Sequence, residues 1–410
     1  MLIDLLRRAR NCAARALELL PISSRVLGPP KGFYSSFQEY VGATGDQLAK
    51  EWFVLPKETR QMNVPNTAPD RWKEIFQPLV HDSPGFGLYC IENGRFHRDS
   101  GAIITKDDRL LASFSAWMGG GPRDNWLFKK LRLGPLKRVP GNILLLVLSR
   151  NYYHFLIDEI PRIRIAEWAG FPLEFFDRIL MYSPKHASQR TVCDRLNIQL
   201  KRIIPLESNS HVECQRLYFT TPPWRYGSAF TLMAREFLLR ICNGSVIGKK
   251  RRIYVSRERC THGKISNENQ LLPILFEAGF EKIFPETLSF DEQVALFQGA
   301  ECIVGAHGAG LTNIIFSSPG SRLVEIRNST YDQNEPYQAK SGNIFWRLSE
   351  FRGIEYHPFF AVPDGTPYRA PEAAGVERVR LPNLTVDIDS FGRLLRRVLT
   401  PDPNSTLRDP

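Results

Sequence analysis

The spacing of apolar positions changes character several times along the chain. Leu2, Leu5, Leu6, Ala9, Ala13 and Leu17 recur at helical intervals and predict an amphipathic helix from Leu2 to Leu20. From Pro29 to about Pro84 prolines are frequent and no period is sustained, which predicts irregular structure. After Gly87 the pattern turns to β. Leu88 to Ile91 runs into Asn93-Gly94, a hairpin-turn pair, with Arg95-Phe96-His97 beyond it. Ala102 to Ile104 and Leu110 to Ala112 flank Asp107-Asp108 as a second hairpin, and Gly119 to Pro122 predicts a loop.

Asn142 to Leu148 then predicts a buried strand, and Asn151 to Glu159 opens a helix. Strands near Ile179-Leu180-Met181 and Leu217-Tyr218-Phe219 alternate with a helix over Ser188 to Leu196. Thr221-Pro222-Pro223-Trp224 marks the start of a connection between two α/β halves. From Arg252 the alternation is regular. Strands at Ile253 to Val255, Lys282 to Phe284, Cys302 to Val304 and Leu323 to Ile326 are separated by helices over Gln270 to Ala278, Phe290 to Gln298 and Leu311 to Phe316. Repeated βα units of this kind specify a parallel, Rossmann-like sheet.

One link in that series carries chemistry. Between the Cys302 to Val304 strand and the next helix stands Gly305-Ala306-His307-Gly308-Ala309-Gly310. A glycine-rich strand-to-helix turn brings free N–H groups and a positive dipole end together, which favours a phosphate. Ser256-Arg257, His307 and Glu325 each fall at or just past a strand's carboxyl end, where ligands of parallel sheets lie. Arg257 can grip two oxygens of a diphosphate and Lys264 adds a point charge. Glu325 can accept hydrogen bonds from ribose hydroxyls. Taken singly, the same residues serve equally as an ion-pair arginine, a solvated lysine and a strand-end carboxylate.

Composition narrows the setting. The 410 residues allow two domains, and 43% hydrophobic with 24% charged residues is ordinary for a globular protein. A net charge of +11 implies anionic company, but no zinc finger, basic zipper or RNA-binding signature accompanies it, so nucleic acid is not expected. Seven scattered cysteines without CxxC spacing point to a reducing compartment and against a zinc site. No apolar run reaches the roughly 18–20 residues that span a bilayer. The N-terminal helix lacks a signal-peptide cleavage site; it either docks on the protein or lies on an anionic membrane surface through its arginines. The expected location is cytoplasmic, with peripheral contact at the inner membrane face as the variant.

A second constellation is His154 with Asp158, one helical turn apart. The carboxylate can orient the imidazole for general-base work on a hydroxyl, or the pair can be a core histidine with a routine salt bridge, Arg162 being Asp158's partner. Asp387-Ile388-Asp389 has the form of a metal-binding DxD, but Asp389 ahead of a helical pattern reads more simply as a cap. No metal site is expected.

The motifs N-Y-Y-H-F-L-x-D-x-x-P-R (Asn151 to Arg162), Y-V-S-R (Tyr254 to Arg257), K-I-x-N-E (Lys264 to Glu268) and G-A-H-G-A-G-L-T-N (Gly305 to Asn313) occur in this order. Over roughly Ala102 to Ile326 the chain resembles glycosyltransferase family 61, which includes capsular-polysaccharide-type enzymes of bacteria and eukaryotic sugar transferases. The resemblance implies a GT-B-like α/β fold with two Rossmann-like domains facing a cleft and β-hairpins early in the first. It also implies inverting, metal-independent transfer from a nucleotide-diphosphate sugar, a UDP-sugar for preference, to a glycan or glycoconjugate hydroxyl, with no cofactor. The expected layout is a helix and irregular segment (1–85), an acceptor-side domain (86–225), a linker (226–250), a nucleotide-sugar domain (251–380), and a final helix and tail (381–410). His154 or Asp158 would be the base. Ser256, Arg257, Lys264, His307, Gly308, Ala309, Gly310, Asn313 and Glu325 would bind the donor. Lys264 stands where the family commonly has arginine, which keeps charge but loses bidentate geometry.

Two rivals belong to other classes. Gly308 to Asn313 nearly spells a dinucleotide motif, and Glu325 could take a ribose, as in an NAD-dependent oxidoreductase; but Asn313 stands where the third glycine belongs. A non-catalytic glycan-binding module would keep the fold and tolerate loss of His154.

Overall fold

A computed structural model describes residues 2–76, 79–115, 121–147, 151–223, 227–242, 250–329, 343–365 and 382–400. The Gly119 to Pro122 loop, Leu148, the Thr221 to Trp224 connection, the linker at 226–250 and the tail fall wholly or partly outside those residues. The chain divides into two units. The first comprises Met1–Glu58, Ser83–Lys185 and Cys193–Ala234; the second comprises Thr59–Asp82, His186–Val192 and Arg235–Pro410.

Strands β1 (Phe33–Tyr34) and β2 (Lys50–Leu55) are followed by β3 (Glu58–Gln61) and β4 (Val80–Ser83), which pair with each other as a two-stranded sheet. Then come β5 (Phe86–His97), β6 (Ala102–Ile104), β7 (Leu110–Leu111), β8 (Leu136–Leu145), β9 (Arg178–Leu180), β10 (Ile203–Ile204) and β11 (His211–Thr220). Among the described residues they form a nine-stranded sheet in the order β1-β7-β6-β5-β11-β8-β9-β10, with β2 also on β5. The β11-β8-β9-β10 half is parallel, whereas β5 runs antiparallel to β2, β6 and β11, so the sheet as a whole is mixed.

The hairpin expected at Asn93-Gly94 does not form. β5 is one twelve-residue strand through that pair, with Asn93 bent to φ 51°. β11 pairs along its length on one side while β2 and β6 divide the other, and this continuous pairing overrides the local turn preference. The hairpin between β6 and β7 does form, with Asp108 at φ 69°. The Pro29 to Pro84 stretch is less irregular than expected: it contains the helix Phe37–Thr44, capped by Ser36, and several short strands.

The second unit is built on β12 (Arg251–Val255), β13 (Phe280–Ile283), β14 (Ala300–Ala306), β15 (Arg322–Asn328), β16 (Glu355–Pro363) and β17 (Leu384–Thr385). Their order is β13-β12-β14-β15-β16-β17, all parallel except β17. The central strands β14 and β15 are buried almost without interruption, as expected when helices cover both faces. One face packs Tyr254, Val304 and Val324 against Leu271 and Leu275 of the helix Glu268–Glu277 and Phe391 and Leu395 of the helix Ile388–Leu399. The cap of that last helix is Asp387, which accepts from Ser390 N, rather than Asp389.

Part of the segment expected to be irregular serves this unit. Phe76 is fully buried, its ring 5.3 Å from Trp346 and 6.1 Å from Tyr356, with Arg327 over it at 5.6 Å. Asn343 Nδ2 donates to Ile75 O at 2.5 Å and Trp346 Nε1 to Asn63 O at 3.0 Å. Residues 59–82 therefore belong to the C-terminal unit's packing.

Candidate functional site

In the second unit the sheet order reverses between β12 and β14, since the chain goes from β12 outward to β13 and then back to β14 on the other side. Crevices at such a switch point, beyond the strands' carboxyl ends, are where open α/β sheets take ligands. Arg257 follows β12, and the glycine turn follows β14.

The Arg257 guanidinium is held by backbone. Its Nε donates to Gly263 O at 2.8 Å and Nη2 to His262 O at 2.9 Å. Nη1 is directed at Gly308: a Cβ there would lie 1.9 Å from it. Burial lowers the guanidinium pKa from its ordinary value, opposed by Cys260 and Glu286. Gly308 then leads into a 3₁₀ helix, Ala309–Phe316, rather than the expected α-helix. Its first hydrogen bond runs from Leu311 N to Gly308 O at 3.0 Å, so the helix itself does not use the N–H groups of Ala309 and Gly310. Both residues are partly exposed.

His307 is fixed by its own backbone N–H on Ile326 O, at 3.0 Å, and by its ring. Nδ1 donates to Glu325 Oε1 at 2.5 Å, and the ring lies edge-on to Phe345 at 5.3 Å. Glu325 is fully buried, and its other oxygen accepts from the Tyr356 hydroxyl. That hydroxyl in turn accepts from Arg327 Nη1 at 3.2 Å. Burial pushes the Glu325 pKa up, but His307, Arg327 and Tyr356 together outweigh it and hold the carboxyl below its ordinary value. This corrects the ribose-binding role expected of Glu325. A carboxylate with no exposure and both oxygens engaged holds His307 and does not reach a ligand.

Two other expected ligand contacts are internal ties. Ser256 Oγ donates to Glu268 Oε1 at 2.6 Å and is almost fully buried, while Glu268 also accepts from Lys282 Nζ at 2.9 Å. Asn313 Nδ2 donates to Gln293 Oε1 at 2.8 Å with no exposure, joining the 3₁₀ helix to the helix Phe290–Gln298. Lys264 is partly exposed and its main chain is pinned: N donates to Asn383 Oδ1 at 3.1 Å, and its carbonyl accepts from Leu384 N at 2.8 Å. The residues brought to the crevice are thus Arg257, His307, Gly308, Ala309 and Gly310. Sequence inspection missed Tyr356 and Arg327. The signal for Tyr356 was the Glu355–Pro363 strand, in which an aromatic follows a Gly353 helix cap, and that for Arg327 its place two residues after Glu325 on the strand Arg322–Asn328.

The first unit presents the other pair. Asn151 caps the helix start, its Oδ1 accepting from Tyr153 N at 2.8 Å. Pro161 lacks the N–H that would bond Ile157 O, and the preceding turn, Phe155–Glu159, is a π-helix with Ile160 N on Phe155 O at 3.1 Å. His154 Nδ1 donates to Asp158 Oδ2 at 2.6 Å; the histidine side chain is 35% exposed and the aspartate's 1%. Burial draws the His154 pKa down, but the hydrogen bond and charge of Asp158, with Glu159, outweigh it and raise the pKa above 6.5. The expected Arg162–Asp158 salt bridge is instead a bond from Arg162 Nε to the Asp158 backbone carbonyl at 2.6 Å. Burial depresses the Arg162 pKa to about 10, still charged at neutral pH.

These residues fall in a region similar to known proteins. The family model for Glycosyltransferase 61 matches residues 152–324, which contain both the His154 pair and the Arg257–His307 crevice. A beta-1,2-xylosyltransferase of Arabidopsis thaliana is 34% identical over 70 residues, covering 17% of this chain and 11% of that protein. Beta-1,2-xylosyltransferase RCN11 of Oryza sativa subsp. japonica is 33% identical over a stretch of the same length and coverage. The EGF domain-specific O-linked N-acetylglucosamine transferase of Drosophila melanogaster is 30% identical over 112 residues, 26% of this chain and 19% of that protein. The aligned stretches therefore span less than a fifth of each relative.

Proposed function

We propose that this chain is an inverting glycosyltransferase that moves a sugar from a nucleotide-diphosphate donor, a UDP-sugar for preference, to a hydroxyl of a glycan or glycoconjugate. The observation that carries this reading is the cationic crevice at the switch point. Arg257 and the His307–Gly310 turn converge there, inside the stretch that matches Glycosyltransferase 61. In the finer form of the reading the fold is GT-B, the donor is bound by the C-terminal unit and the acceptor's base lies in the N-terminal one. A capsular or other surface polysaccharide is the acceptor class that the resemblance suggests.

His154 suits the base. Nδ1 is committed to Asp158, so Nε2 takes the proton of the acceptor hydroxyl while Asp158 orients the ring and balances the imidazolium. The acceptor oxygen attacks the anomeric carbon on the face opposite the diphosphate, the bond to the diphosphate breaks, and configuration inverts. Arg257, His307 and the Ala309 and Gly310 N–H groups offset the charge gathering on the leaving diphosphate. The NAD reading loses support because the carboxylate it needs for ribose, Glu325, is already engaged by His307 and Tyr356.

Incubation with a panel of nucleotide sugars, followed for release of the nucleoside diphosphate, tests the reading. Release from a UDP-sugar is expected, and it persists in EDTA because the protein's own cations do the neutralising. Binding of NADH but of no nucleotide sugar would overturn it, and activity abolished by EDTA and restored by manganese would overturn its metal-free form.

A further inference from the structure

The helix Leu2–Leu19 docks by a mixed face. Facing the protein are Ala14, fully buried, and the half-buried Arg10, Leu17 and Glu18. Arg10 lies over the Trp126 ring at 5.5 Å, and Glu18 accepts twice from Arg123 Nη1, at 2.7 and 2.9 Å. Lys31 Nζ holds the helix end through Leu17 O at 3.1 Å. Of the apolar positions legible in the sequence, Leu17 turns toward the protein, whereas Leu5, Leu6, Ala9 and Ala13 point outward. Leu5 is 64% exposed, Leu6 60% and Leu19 87%, with Ala9, Ala13 and Ala16 exposed between them.

The surroundings extend this. Val26 and Leu27 in the loop after the helix are exposed at 68% and 37%, and Leu131, whose carbonyl accepts from Gly28 N, at 38%. With Leu20, the helix and its neighbours hold seven of the sixteen large hydrophobic side chains exposed among the described residues. Scattered single leucines need no explanation, but this concentration does. Charge identifies the occupant. Arg7, Arg8 and Arg15 are exposed on the same helix, Glu18 is turned inward to Arg123, and the chain carries a net +11.

From this exposed leucine stripe and the arginines beside it, we infer that the outer face of Leu2–Leu19 seats on an anionic lipid surface, its leucines entering the headgroup boundary and its arginines meeting lipid phosphates. An interfacial helix of this kind lies in the plane of the bilayer. No helix among the described residues is long and apolar enough to cross it.

The test is co-sedimentation of the full chain with vesicles of phosphatidylcholine alone and of equal parts phosphatidylcholine and phosphatidylglycerol. Binding at least about tenfold stronger to the anionic vesicles is expected, weakening as salt rises past 0.1 M, where charges are already screened over about 10 Å. The double variant Leu5→Asp, Leu6→Asp should lose that binding with an unchanged melting temperature, since both side chains are already in solvent. Arg8→Gln with Arg15→Gln should remove the preference for anionic lipid. Equal binding by wild type and the leucine variant, or none by wild type, would overturn the inference. So would concentration-dependent dimerisation abolished by the leucine variant without vesicle binding, because the occupant would then be a second copy.

Discussion

The guanidinium of Arg257 occupies the space that a side chain on Gly308 would need, with Nη1 only 1.9 Å from the position of such a Cβ. Two segments at the carboxyl ends of adjacent strands thus meet, and a side chain at Gly308 would have to push the end of Arg257 out of its present place. Gly308→Ala should displace Arg257 and weaken UDP binding nearly as much as Arg257→Ala does. Charge-assisted contacts contribute roughly 1.5–3 kcal/mol each, a loss of about 10- to 150-fold in affinity. Because both changes remove one interaction, the double variant should be little worse than Arg257→Ala alone. Titration calorimetry with UDP checks this; unchanged affinity in either single variant would remove the pair from the site.

Glu325 stands behind His307, so its effect on the donor should be indirect. Glu325→Gln keeps a hydrogen-bond acceptor for His307 but removes the charge, and UDP affinity should fall about three- to tenfold. Tyr356→Phe removes only the hydroxyl that donates to Glu325 and should be milder. Glu325→Gln should also lower stability, because Arg327 is left buried with less compensation. UDP titration and thermal melting of the same samples separate the two effects. An unchanged UDP affinity in a folded Glu325→Gln protein would contradict the relay.

Away from the site, two buried histidines predict acid sensitivity. His97 bonds Ser100 and Asn209, and His211 accepts from Arg95 at 3.3 Å. Burial, and for His211 also the neighbouring Arg95, holds their pKa values at about 4 and about 3, against 6.5. Between these values the unfolded chain binds protons that the native state refuses. Their stabilisation is therefore complete above pH 6.5 and is lost as pH falls toward about 4 and then about 3. At about 1.4 kcal/mol per pKa unit, several kcal/mol are at stake. The raised pKa of His154 gives the opposite slope, its stabilisation being full below pH 6.5 and lost as pH rises through its native value. Urea midpoints should drop between pH 6.5 and 4.5, less so in His211→Gln. A flat midpoint across that range would contradict the assignment.

The C-terminal βα series was legible because short apolar runs recur regularly between helical patterns, and the positions of Arg257 and His307 were legible because they follow such runs. Glu325 was misjudged for the same reason that it was noticed. A polar residue at a strand end is easy to see, but whether its side chain points to the crevice or under it depends on Tyr356, from a strand contributed later in the chain. Asn93-Gly94 carried a strong local turn signal that lost to pairing with β11. The N-terminal helix was read correctly as amphipathic, yet the face that docks is set by Trp126 and Arg123, which the helix's own sequence cannot reveal.

The pH dependence of transfer follows from the His154 pair. A base must be neutral to accept a proton, so kcat/KM should rise through a limb centred above pH 6.5, where Asp158 holds the imidazole. Asp158→Asn removes both the charge and the strong hydrogen bond but leaves the burial, so the limb should move to lower pH while the maximal rate falls. A limb unmoved by Asp158→Asn would mean that some other group sets it.

The most direct measurement compares His154→Ala with wild type in two assays on one preparation, sugar transfer from the donor selected by the nucleotide-sugar panel and UDP affinity by calorimetry. The account predicts a turnover lower by about 10²–10⁴, with UDP affinity and melting temperature near wild type and Asp158→Asn adding nothing to the loss. Turnover that stays near wild type, or that falls only as far as the folded fraction falls, would contradict the claim that His154 is the base of this reaction.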